Sequence, residues 1–194
     1  DYDNVNRINH WEFDMGSRTV VATFGEGCYF AGYDVALPTE YAYKSKSEGG
    51  IWEEGDLRRD ESIRYDFTYL GITPTEVSWG ADELDPHIKK YEDERTDQFN
   101  GNLANEWYSG KNFIVLRYAD VLLCYAECLN ELGETGEANT VVNQVRARAW
   151  GGTLPNEMAW NYGQDEFRVQ IMDERIRELC FAVSYTHLTL PTNS

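Results

Sequence analysis

The chain has 194 residues, enough for one domain with a sizeable core, and its 42% apolar and 14% aromatic content is that of a globular protein. Its 17 Lys and Arg stand against 34 Asp and Glu, a formal net charge of −17. That charge disfavours nucleic acid and anionic membrane surfaces as partners, no apolar run approaches the roughly 20 residues of a membrane span, and the sequence itself carries no export signal.

Residues 1–110 read as a loop-rich, aromatic-rich part with short strands. Asp1, Asp3 and Asn6 loosely match a calcium loop, but the Gly and Glu positions that close such a loop are absent. Arg18 to Phe24 (RTVVATF) is β-branched and predicts a strand. Gly25, Gly27 and Gly32 then mark a loop, and the tyrosine-rich run from Tyr41 to Gly50 reads as surface. Around Gly55-Asp56-Leu57-Arg58-Arg59-Asp60, arginines alternate with carboxylates. A turn held by Asp–Arg pairing is the preferred explanation over catalysis. Ser62 to Leu70 alternates polar and apolar residues and predicts a second strand. A loop with Pro74 and Trp79 follows, then a polar stretch with Trp107 and Tyr108.

Residues 111–183 hold the clearest periodicity. From Phe113 to Leu132, Val115, Ala119, Leu122, Ala126 and Leu129 repeat at three and four, with Tyr118, Tyr125 and Leu132 widening the stripe. A helix with one broad buried face is expected, ended by Gly133. A second helix is expected from Glu137 to Ala149, with Ala138, Val141, Val142, Val145 and Ala149 inward and Thr135 as cap. The tight link between them predicts an antiparallel pair. A third helix is expected from Asp165 to Phe181, with Phe167, Ile171, Met172, Ile176, Leu179 and Cys180 as its apolar side. Its charges, Glu174, Arg175, Arg177 and Glu178, suit either a solvated face or a buried structural network. Leu122, Val145 and Leu179 are expected to share one interior.

Cys28, Cys124, Cys128 and Cys180 show no C-x-x-C spacing, and His10, His87 and His187 are scattered, so no metal and no cofactor are expected. Buried thiols acting as small apolar groups are the preferred alternative. No G-x-S-x-G, H-E-x-x-H or phosphate loop occurs, and a chance pair among so many carboxylates is no argument for a glycosidase. No internal repeat is evident.

The order of several motifs is more specific than any one of them. Leu116-Arg117-Tyr118-Ala119-Asp120-Val121-Leu122-Leu123, Tyr125-Ala126-Glu127 and Asn130-Glu131 resemble the C-terminal signature of the SusD/RagB family. Asn143, Val145-Arg146 and Arg148-Ala149 resemble its N-x-V-R-x-R-A segment. Glu174-Arg175 with Arg177-Glu178-Leu179 and Phe181 resembles E-R-R-x-E-L-x-F, and Gly55-Asp56-Leu57-Arg58 resembles a G-D-x-R turn. The resemblance implies a mainly α, SusD-like fold of tetratricopeptide-like helix pairs with long loops and a few short strands. It implies a non-catalytic glycan- or nutrient-binding lipoprotein of the bacterial outer membrane, surface-exposed and lipid-anchored through an N-terminus not present here. Such a protein passes oligosaccharide to a SusC-like TonB-dependent transporter. A helix-repeat module that binds other proteins is the alternative. The chain departs from the family after Phe181, where residues 184–194 resemble translated adaptor sequence, so a non-native tail is expected there.

Neutral sugars are held by aromatic shelves with hydrogen-bonding side chains around them. The loop-borne candidates are Tyr41, Tyr43, Trp52, Trp79, Trp107 and Trp160. The competing expectation for each ring is burial in the core.

Overall fold

The computed structural model describes residues 37–65, 86–91 and 114–182, and the backbone of 22–24 and 28–30. The calcium-like loop, Trp79, Trp107, His10, His187 and the tail after Ala182 lie outside the described residues. The chain divides into two compact units, Asp1–Tyr43 with Asp60–Phe113, and Lys44–Arg59 with Ile114–Ser194.

In the first unit, strands β1 (Ala22–Phe24) and β2 (Cys28–Phe30) pair antiparallel, with Thr23 opposite Tyr29. A single helical turn, α1 (Glu40–Tyr43), follows, with the Ala42 N–H donating to the Thr39 hydroxyl at 3.2 Å. A second short helix, α2 (Arg58–Ser62), leads the chain back into this unit. It meets strand β3 (Ile63–Arg64), paired antiparallel with β4 (His87–Ile88). The strand expected from Ser62 is thus described over only these two residues, because Ser62 still belongs to the helix; 66–70 lie outside the described residues. Ile63, His87 and Ile88 are buried.

The second unit is built on three helices, α3 (Tyr118–Glu131), α4 (Thr135–Ala149) and α5 (Gln164–Leu179). The architecture is mainly helical, as the resemblance implies. α3 and α4 form an antiparallel hairpin. At the bend Gly133 adopts φ +87°, a left-handed conformation that suits glycine, and the Glu134 N–H reaches back to the Leu129 carbonyl at 2.9 Å. The core of this unit is Leu123, Ala126, Leu129, Ala138, Val141, Val142, Val145, Trp160, Phe167 and Ile171. Val145 and Leu179 are buried, and Leu122 packs half-buried against the core.

The first helix differs from the sequence expectation in two ways. It begins at Tyr118 rather than Phe113, so Val115 precedes it. Its buried face runs through Asp120, Leu123, Ala126, Leu129 and Asn130, while Tyr118, Tyr125 and Leu132 point to solvent. The stripe is rotated because Asp120 and Asn130 find polar partners inside: Asp120 accepts from Arg175 Nη2 at 2.8 Å, and Asn130 Nδ2 donates to the Gln164 carbonyl at 3.1 Å. In α5, Met172 is exposed as well. Thr135 is not the cap of α4. Glu134 holds that position, and the Thr135 hydroxyl donates to Asn130 Oδ1 at 2.9 Å.

The loop from Trp150 to Gly163 is fastened to α4 by asparagine side chains. Asn143 pairs with the backbone of Trp160 through Nδ2 to carbonyl at 3.1 Å and N–H to Oδ1 at 2.8 Å. Asn139 does the same with Tyr162, at 2.9 and 3.1 Å. Each amide replaces the partner that loop backbone would find in a sheet.

Residues 44–59 lie against this helical block. Ser45 and Trp52 form a parallel bridge, and Gly50 is required there because a Cβ would sit 2.0 Å from the Lys44 carbonyl oxygen. The Leu57 N–H donates to the Ala149 carbonyl at 3.0 Å.

Candidate functional site

The six candidate rings separate by burial. Tyr41 is 46% exposed on α1. Tyr43 is half-buried and meets Tyr65 edge-on at 5.6 Å. Trp52 and Trp160 are only 2% and 4% exposed, so neither presents a ring face to solvent as it lies here. Trp160 packs edge-on against Phe167 at 5.6 Å, inside the helical core. Trp79 and Trp107 lie outside the described residues. Of the four described rings, Tyr41 is exposed, Tyr43 is half-buried, and Trp52 and Trp160 are buried.

What the second unit does assemble is a buried ion network that joins three of the sequence motifs. Glu174, fully buried on α5, accepts from Arg58 Nη1 at 2.7 Å through Oε1. Its Oε2 accepts from Arg146 Nη1 at 2.8 Å and from Arg177 Nη2 at 2.8 Å. Arg58 also grips Asp56 in a fork, Nε to Oδ1 at 2.9 Å and Nη2 to Oδ2 at 2.7 Å. Arg146 Nη2 reaches Glu53 at 2.6 Å, and its guanidinium lies between the rings of Trp150 and Trp160, 4.9 and 5.3 Å from their centroids. Arg177 Nη1 donates to the Ile51 carbonyl at 3.1 Å.

Burial by itself raises the Glu174 pKa. The Arg58, Arg177 and Arg146 guanidiniums overcome it and hold the carboxyl down at about 2, against an ordinary value of 4.5. Glu53 is likewise pushed up by burial but brought below its ordinary value by Arg177 and Arg146. These carboxylates are saturated by arginines, so the cluster is a clamp and not a proton-transfer site. It decides between the two sequence readings of the α5 charges: the network is buried. Asp56 with Arg58 makes the expected Asp–Arg turn, extended by Glu174, whose contribution the local pattern does not announce. The signal that could have found it is the combination of i,i+3 and i,i+4 charges with no wholly polar face on α5.

A cleft of about 400 Å³ opens between the start of α3 and the end of α4. Ala119, Leu122 and Val145 line it with aliphatic surface, and Arg117, Tyr118, Gln144 and Arg148 complete it. Arg117 and Arg148 both donate to Oε1 of Glu178, the former at 2.5 Å. Arg117 also donates to the Glu178 carbonyl at 2.6 Å. A buried carboxylate thus fixes two guanidiniums at the edge of an apolar recess. None of the six candidate rings lines this cleft. Among the described residues no cluster of His, Cys, Asp and Glu could hold a metal, and no helix is long and apolar enough to cross a membrane.

The model of the SusD family matches residues 17–183. The chain is 34% identical to SusD-like protein P2 of Formosa agariphila over 162 residues, covering 79% of this chain and 30% of that protein. It is 39% identical to SusD-like protein P38 of the same organism over 135 residues, covering 66% of this chain and 24% of that protein. The chain therefore spans less than a third of the length of these relatives. No solved structure matches it.

Proposed function

Because the chain belongs to the SusD/RagB family, we propose that it is part of a glycan- or nutrient-binding subunit of an outer-membrane uptake system, working without catalysis. The observation that carries this proposal is the family match over residues 17–183, in which the signature motifs fall on one clamped helical scaffold. A SusC-like TonB-dependent transporter is the proposed partner, and a lipid anchor at the outer membrane surface the proposed location. The physical logic is that of a rigid scaffold carrying loops: binding needs preformed aromatic surface and hydrogen-bonding groups, and no reacting side chain. Among the six candidate rings, Tyr41 is the most exposed of those described and is the proposed ligand contact there. Trp79 and Trp107 remain proposed ligand contacts on the strength of the sequence.

Affinity electrophoresis of the full chain through gels containing a panel of polysaccharides tests the proposal. A reducing-sugar assay is run on the same mixtures. Retardation by one class of polysaccharide without product supports it. Released reducing ends convert the protein to a hydrolase and overturn it.

A further inference from the structure

We draw no further inference here: the strongest candidate, the cleft between the start of α3 and the end of α4 edged by Arg117 and Arg148, carries none, because both guanidiniums are already bonded to Glu178 and nothing in the structure shows what covers it.

Discussion

Arg58 and Glu174 stand 116 positions apart in the chain, and Nη1 of the one lies 2.7 Å from Oε1 of the other in the interior of the helical unit. Through this contact residues 44–59 are fastened to α5. Arg146 and Arg177 converge on the same carboxylate, so it binds three separate stretches of chain at one point.

Replacing the carboxylate leaves three buried guanidiniums facing a neutral amide. Glu174→Gln is therefore expected to destabilise the chain by about 3–5 kcal/mol, the range for breaking a buried ion pair from one side. Urea unfolding followed by circular dichroism measures this. A loss under about 1 kcal/mol would mean that the clamp contributes little.

The same group sets an acid dependence. Folded Glu174 stays ionised down to about 2, while the unfolded group protonates near 4.5. As pH falls through that window the unfolded chain takes up the proton first, so stability is lost on acidification. The full contribution, about 3 kcal/mol, is present above the window and gone below it. Glu53, also held below its ordinary value, adds loss of the same sign. Urea midpoints of wild type and Glu174→Gln, measured from neutral pH downward, are expected to converge in acid. Parallel curves would refute the assignment.

The rotation of α3 predicts unequal effects of two leucines nine positions apart. Leu123 is fully buried and Leu132 is largely exposed. Leu123→Ala is expected to cost about 2–5 kcal/mol, and Leu132→Ala to change stability by less than about 0.5 kcal/mol. Thermal or chemical denaturation of the two variants decides it, and comparable losses would restore the stripe expected from periodicity.

Two glycines separate backbone conformation from contact. Gly133 has φ +87° with nothing within 4 Å of an added Cβ, so Gly133→Ala carries only the left-handed backbone penalty, about 1 kcal/mol. Gly55 has φ +79°, and a Cβ there would meet the Trp150 indole nitrogen at 3.1 Å. Gly55→Ala is expected to lose more than Gly133→Ala in the same denaturation assay. The reverse order would count against the Gly55–Trp150 contact.

The aromatic residues divide into a binding test and a stability test. Tyr41→Ala is expected to reduce retardation in the gel of whichever polysaccharide binds, with the unfolding midpoint almost unchanged. Trp52→Ala is expected to lose about 3–5 kcal/mol because its ring is buried. If Trp52→Ala proved as stable as wild type, its ring would be no part of the core.

Much of the helical unit was legible from local pattern. α3, α4 and α5 occur close to where the three- and four-residue spacing placed them, and Gly133 follows the end of α3 as expected. The candidate site was less legible. Trp52 and Trp160 look alike in sequence to an exposed binding ring, and only their neighbours bury them. The arginine-edged cleft was missed because Arg117 and Arg148 belong to different helices, and nothing local indicates that one glutamate holds both.

The sequence by itself determined the helices, their order and the family, because periodicity and ordered motifs are properties of neighbouring residues. Tertiary structure alone decided which charges went inside. A glutamate or arginine is buried only where its desolvation is offset by a partner, and the partners here come from distant stretches: Arg58 for Glu174, Glu53 for Arg146, Arg175 for Asp120. On α3 the inward Asp120, paired with Arg175, and Asn130, bonded to the Gln164 carbonyl, turn the buried face away from Tyr118 and Tyr125, which face solvent.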